Sequence, residues 1–553
     1  MFLDRLIDKV GDSNPQIFRE LKERLTLRNI GIAIAAALLI QVAVLIYFNG
    51  QIPIPSYDYS SRGGISGQNL IETHSKYCNL TANYNYSYEY QLCKLDSANN
   101  FKINWQSWWS DVFSCLNYIL PFGLILGSVY TLVADLVQEE KRGTLNFIRL
   151  SPQSAQKIFV GKMLGVPILV YLAIGLIIPL HLCVGLSVGG SVPLLAGWYA
   201  AIGSIWFLVS SVAVLYVLLG GIQAIVTTIV VGWPLFLPIQ VINSYVIGDI
   251  NHETWLEHTD LSWFGLPIAS SAISFYTFGI VGCSIISFGV WQAIERRYLN
   301  PMATAVGKSQ SYLANLFLQI GLAGFGCAAL FQSSSSAREG MIAFFAVVDF
   351  MSLFLLIPML LPSKQSIKDW SRYRRERTTN RYGKIWRREL VQDLLTNDHS
   401  PALLAIAINI GMAMVVWVPV IIIGFATTSK TRFLASICIA ASLTLIYAAI
   451  AHLCLFLNVK KRTLWIVAIV GVAMMLPLGG AFILSPFGTP KGLAAIVLLF
   501  SPFAPIGVFQ LSGSTILATF AAQLGIFGVL TRQLQRRLQI SGQSQTKELL
   551  ARV

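Results

Sequence analysis

The chain has 553 residues, of which 55% are hydrophobic and only 12% charged, with a mean hydropathy of +0.63. A soluble chain carries about 25% charge, so a water-exposed globular fold is excluded and a polytopic membrane protein is indicated. The net charge of +14 would by itself fit a nucleic-acid partner, but the placement of the charges argues otherwise.

In chain order, the charged residues that continue to Arg28 before the first apolar run make too long an n-region for a cleaved signal peptide. Asn14 and Pro15 read as an N-cap and a first helical position. Ile17, Phe18, Leu21 and Leu25 then share one face, opposite Arg19, Lys22, Glu23 and Arg24. Residues 1–28 are therefore read as an amphipathic helix in the headgroup plane.

A bilayer core needs about 20 apolar residues per helix. The apolar runs place spans at 29–48, 112–137, 158–187, 192–220, 221–247, 264–293, 312–332, 341–362, 401–424, 433–457, 464–484 and 512–530. The runs are continuous and not alternating, which argues against a barrel. The expected fold is all-α, with about twelve spans and both termini on one side.

Of the 40 Lys and Arg, 32 fall in 1–28, 138–162, 294–311, 363–400, 458–463 and 531–553, all on the side of the N-terminus. That side is cytoplasmic by the positive-inside rule. Topology and anionic lipid account for the basic surplus, so no nucleic-acid partner is invoked. The domain reading is an elbow helix at 1–28, a six-helix block at 29–297, a second block at 298–530 with a basic loop at 363–400, and a cytoplasmic tail at 531–553. Recurrent "NP" (Asn14, Asn300), "LVQE/LVQD" (Leu136, Leu390) and "SP" (Ser151, Ser400) hint at a six-plus-six duplication. Residues 490–511 are read as an outer re-entrant or interfacial segment broken at "SPFAP".

The outer segment 49–111 holds Cys78 and Cys93, which can form a disulfide on an oxidising face. "NLT" and "NYS" match glycosylation sequons. Trp105, Trp108 and Trp109 precede the second span as an aromatic belt or, less simply, a sugar platform. In the fifth span "VGWPLFLP" carries Pro234 and Pro238, which predict a kink or unwinding. Within the apolar runs Asp349, His181 and Asn243 are candidate intramembrane polar sites. The His are scattered and the Cys lack ligand spacing, so no metal centre is expected.

Residues 138–157 are organised beyond what a connector needs. Asp135, Glu139 and Glu140 end the second span, and Lys141 and Arg142 follow. Gly143 permits a sharp turn, and Thr144 is placed to cap a short helix carrying Leu145, Ile148, Arg149 and Leu150. Ser151–Pro152 is read as the start of the third span, with Lys157 and Lys162 at headgroup level.

"EEKRGTLNFIRLSP…IFVGK" resembles the segment after the second helix in the permeases of type-2 ABC exporters. The resemblance rests on Glu139 or Glu140, Arg142, Gly143, Thr144, Ser151, Pro152, Gly161 and Lys162, and covers residues 1 to about 297. The second half lacks the pattern. The resemblance implies a coupling helix at 144–150 that docks on a separate ATP-binding cassette subunit. It also implies an exporter of the bacterial inner membrane, whose pathway is formed either by the chain's own two halves or with a second copy or another permease. The chain has no P-loop, which needs G-x-x-x-x-G-K-[ST]. The nearest match, "MATAVGKS", has Met302 at the first glycine position. ATP is therefore assigned to the partner, and no enzymatic activity or cofactor to this chain. Two alternatives stand: an ion-coupled transporter using Asp349, and a membrane scaffold or enzyme working through 49–111.

Overall fold

The computed structural model describes residues 14–53, 76–78, 80–85, 88–93, 101–221, 223–251, 262–331, 334–380, 384–457, 492–501, 504–508 and 510–542, with scattered positions between 469 and 484. Among these residues ten helices are long and apolar enough to cross a bilayer. The chain is an all-α, multi-pass membrane protein. Its described strands form two two-stranded hairpins. Of the other two expected spans, 221–247 corresponds to a single helix with part of its side chains outside the described residues, and 464–484 lies mostly outside them.

Contacts divide the chain into two compact units, one mainly Met1–Val217, Gly221–Thr259 and Ala269–Val290, the other mainly Trp291–Val553.

Among the described residues unit 1 opens with α1 (Pro15–Arg24), where the Asn14 side chain accepts from the backbone N–H of Gln16 and Ile17. Helix α2 (Leu27–Asn49) follows, then strands β1 (Leu80–Asn85) and β2 (Tyr88–Cys93). Helix α3 (Trp105–Arg142) has 38 residues, about 57 Å at 1.5 Å per residue. It exceeds the bilayer core of about 30 Å, so its ends project beyond the apolar slab. This lengthens the expected 112–137 span and takes the tryptophans into the helix. Trp108 is buried and donates to the Phe48 carbonyl at 2.9 Å, tying α3 to the end of α2.

The third span is not continuous from 158. It divides into α5 (Ala155–Gly165) and α6 (Ile168–Val188), separated at Val166–Pro167. Proline has no N–H to donate and its ring crowds the preceding turn. Ser154, and not Ser151–Pro152, starts α5: its hydroxyl accepts from the Lys157 N–H. Helices α7 (Val192–Leu218) and α8 (Ala224–Asn251) follow. Helix α8 passes through Pro234 and Pro238 as one element, so neither proline unwinds it.

The sixth span begins later than expected, as α9 (Ala272–Leu299). The hairpin β3 (Ser262–Trp263) and β4 (Leu266–Pro267) occupies the preceding residues. Phe264 and Gly265 turn there with positive φ.

Unit 2 contains α10 (Lys308–Ala329), α11 (Ser335–Met359), α12 (Lys364–Asn380), α13 (Lys384–Thr396), α14 (Leu403–Gly424) and α15 (Thr427–Cys454). Its core gathers Trp417, Ile342, Ile406, Ile421 and Phe433. The basic loop is thus two helices, α12 and α13. Helix α14 lacks a side-chain cap of its own. The Ala402 N–H instead donates to His452 Nε2 at 2.9 Å, while His452 Nδ1 faces the Ala448 carbonyl at 2.7 Å. The ring therefore carries its proton on Nδ1.

The segment after residue 490 is non-helical at Leu499–Ser501, up to the start of "SPFAP", while Pro502 and Phe503 lie outside the described residues. It yields α16 (Leu493–Leu498) and α17 (Ala504–Val508). Tyr447 donates to the Phe500 carbonyl at 2.8 Å and Gln523 Nε2 to the Leu499 carbonyl at 3.0 Å. Backbone groups freed at an interruption in an apolar medium need such partners. The last described helix, α18 (Gly513–Ser541), runs through the start of the expected tail without a break.

Candidate functional site

The short helix α4 (Thr144–Ile148) lies at the end of the long α3. Gly143, with φ +74, makes the turn between them. It is also the residue before the first helical turn, and Thr144 does not cap. The Thr144 hydroxyl donates back to the Glu139 carbonyl at 3.1 Å, stitching the turn to α3. Leu145 is buried, but Phe147 is 78% and Leu150 83% exposed. Ile148 is half-buried and Arg149 Nη1 reaches Asn146 Oδ1 at 2.7 Å. Glu140 and Arg142 face outward, Ser151 donates its backbone N–H to the Ile148 carbonyl, and Pro152 is exposed.

Behind this knob sits an arrangement that sequence reading missed. Lys162, expected at the headgroup surface, is fully buried. Its Nζ lies 2.8 Å from Asp135 Oδ2, 2.9 Å from Glu139 Oε1 and 3.4 Å from Glu20 Oε1. Arg19 reaches Glu139 at 2.9 Å and Glu20 at 3.1 Å, and Arg24 reaches Asp135 at 2.6 Å. Three cations face three carboxylates, drawn from α1, α3 and α5. The oxygens of Glu20, Asp135 and Glu139 converge closely enough for a metal ion, but the Lys162 ammonium already stands among them. Of the two glutamates that fit the motif, Glu139 enters the network.

Burial works against charge on Lys162, yet Asp135, Glu20 and Glu139 outweigh it and hold its pKa above the ordinary lysine value. Burial likewise opposes charge on Glu20, but Lys162, Arg19 and Arg24 hold its carboxyl below the usual range. The network fixes the angle at which α1 and α5 meet the base of α3.

The close approach depends on two glycines one turn apart on α5. A Cβ on Gly161 would lie 2.8 Å from Gln16 Cβ, and one on Gly165 would lie 2.6 Å from Glu20 Cβ. A small-xxx-small stripe lets helix backbones meet in this way. Helix α1 therefore buries Gln16 and Glu20 against α5. Asn14 Nδ2 adds a bond to the Lys157 carbonyl at 2.7 Å. The elbow helix is anchored to protein through its polar face, which its apolar stripe did not foretell.

The remaining candidates fall in separate places. His181 and Asn243 share one cluster in unit 1. His181 Nε2 is 2.8 Å from Asn117 Oδ1 and Nδ1 is 2.6 Å from the Tyr199 hydroxyl. The amide oxygen can only accept, so the proton is on Nε2 and Tyr199 donates to Nδ1. Phe113 and Trp198 stack on the ring, each at 4.9 Å. Asn243 accepts from Trp198 Nε1 at 3.0 Å and donates to the Asn117 carbonyl at 3.1 Å. Asp349 belongs to unit 2, where Gln319 Nε2 donates to it at 2.6 Å. Cys78 is disulfide-bonded while Cys115, Cys183, Cys283, Cys327, Cys438 and Cys454 are free; the Cys93 side chain lies outside the described residues.

The near-P-loop at 302–309 is used structurally. Gly307 precedes α10, and Lys308 Nζ is buried on the Leu394 carbonyl at 2.8 Å and Ser400 Oγ at 2.6 Å.

No protein-family model, curated protein or solved structure matches this chain.

Proposed function

We propose that this chain is the membrane-spanning permease subunit of an ATP-driven exporter, similar to type-2 ABC permeases. The proposed topology has twelve spans, with both termini on the cytoplasmic face of a bacterial inner membrane. ATP would bind a separate cassette subunit, which receives α4. The observation that carries this reading is the exposure of Phe147 on the short helix α4 and of Leu150 in the turn after it, above a base locked by the Lys162 network. Exposed large apolar groups on a polar loop are what a groove-binding anchor requires. A force applied at α4 has a stiff path into α3 and α5, because the buried Lys162 joins them and ion pairs from Arg19 and Arg24 tie α3 to α1.

The chain would work with a second copy or another permease, and lipid contacts the apolar spans. The test is co-purification with an ATP-binding subunit encoded beside this gene, in wild type and with residues 143–150 replaced by a Gly-Ser linker. Loss of the partner from the linker variant is expected. A partner that stays bound, with ATP turnover still responsive to substrate, overturns the coupling assignment. Transport that persists without any ATP-binding subunit would favour an ion-coupled carrier.

A further inference from the structure

Within unit 2, Lys308, Ser311, Asn315 and Gln319 of α10 are all buried. Recurring every three or four residues, they form one stripe on one helix face. The Ser311 hydroxyl donates to the Lys308 carbonyl at 2.7 Å and accepts from Asn409 Nδ2 at 3.2 Å. Asn315 Nδ2 donates to the Asn409 carbonyl at 2.9 Å. Gln319 Nε2 donates to Asn315 Oδ1 at 3.1 Å and to Asp349 Oδ1 at 2.6 Å. The stripe thus runs from the first residue of α10 to Asp349, near the middle of α11.

Both amide hydrogens of Gln319 are used, yet its Oε1 has no protein partner, and neither do Asp349 Oδ2 and Asn409 Oδ1. All three residues are buried, Asp349 and Asn409 completely. Among the described residues no salt bridge reaches Asp349. Lys308 is turned to the Leu394 and Pro401 carbonyls and Ser400. His452, on α15, has both ring nitrogens engaged at Ala402 and Ala448. Trp417 Nε1 lies beside the Asp349 carboxylate as a second neutral donor, short of full hydrogen-bond geometry.

Among the described residues the donors that face Asp349 are the neutral Gln319 amide and Trp417 indole, so its negative charge is costly at membrane depth unless a proton or a cation offsets it. The charge of Asp349, together with acceptors that no protein donor meets, suits a small positively charged species. Carboxylate and amide oxygens are hard donors, suited to a small hard cation and not to a transition metal.

We propose that Asp349 and Gln319, with Asn409 along the same stripe, form a binding site for one small cation, Na+ or a proton. This does not depend on the ATP-driven reading, since the site lies away from α4 in the chain and its test needs no partner.

The full-length protein in lipid nanodiscs, without an ATP-binding subunit, decides it. One arm measures radioactive Na+ binding by scintillation proximity at mildly alkaline pH, in wild type, Asp349→Asn, Gln319→Leu and the control Ser352→Ala. The other follows the infrared band of a protonated carboxyl from mildly acid to mildly alkaline pH in Na+-free buffer. Saturable Na+ binding, lost in Asp349→Asn and weakened in Gln319→Leu but kept in Ser352→Ala, identifies a Na+ site. A pH-dependent carboxyl band without Na+ binding, absent from Asp349→Asn, identifies a proton site. Na+ binding unchanged in Asp349→Asn overturns the proposal. So does folded wild-type protein that neither binds Na+ nor changes its carboxyl band with pH. Wild type alone supplies that last result, whether or not the variants fold.

Discussion

Lys162 Nζ stands 2.8 Å from Asp135 Oδ2, and the lysine is fully buried. This contact joins the start of the third apolar segment to the base of the second, and Glu20 brings in the elbow helix. Buried charge of this kind is tolerated only when matched. Lys162→Met keeps the apolar volume but leaves Glu20, Asp135 and Glu139 without their shared cation. A loss of about 3–5 kcal/mol is expected, read as a lowered unfolding midpoint in detergent. Adding Glu20→Gln and Asp135→Asn should recover part of the loss, because the uncompensated charges go with them. No loss in the single variant would dismiss the network as a determinant of stability.

The same network sets a pH window. The Glu20 carboxyl lies below its ordinary 4.5, so its contribution is present above that value and disappears as pH falls through the lower folded one. Lys162 lies above its ordinary 10.5, so its contribution is present below that value and disappears as pH rises through the higher folded one. Hydrogen exchange of the α1 amides should therefore stay protected between these limits and rise outside them. Protection that declines steadily across neutral pH would contradict the assignment.

Gly165 has no room for a side chain. Gly165→Ala places a Cβ against the stem of Glu20, and helix α1 must move. A loss of about 1–3 kcal/mol is expected, together with weaker protection of α1. The nearby Gly175, with nothing within reach of a Cβ, should accept alanine without such an effect.

Gly143 tests conformation without sterics, since no atom lies near a Cβ there but φ is +74. Gly143→Ala should cost about 1–2 kcal/mol in backbone strain, and Gly143→Asn less. If the angle between α3 and α4 serves coupling, alanine should lower substrate-responsive ATP turnover more than it lowers thermal stability. Equal effects on both would make the glycine purely structural.

Phe147→Ser with Leu150→Ser removes two exposed apolar groups and should change stability by no more than about 0.5 kcal/mol. Capture of an ATP-binding partner should nevertheless be lost. Unchanged capture in a pull-down would rule out these side chains as the docking anchor.

The sequence by itself determined the multi-pass α-helical class, because spanning a bilayer demands long apolar runs whose backbone bonds close within one segment. It determined the Asn14 cap and the Gly143 turn as well, since both depend on neighbours a few residues away. Local propensity misleads at Thr144, Ser151 and Pro152: residue type points to each as a cap or start, whereas Gly143 and Ser154 hold those places. The destination of Lys162 was beyond it. A lysine after an apolar turn looks like a headgroup anchor until three carboxylates, from segments up to 142 residues away, are packed around it. The same holds for His452 capping α14 and for Asp349 meeting Gln319. Burial of a polar group is decided by which helices pack together, and that is long-range information that only the tertiary structure carries.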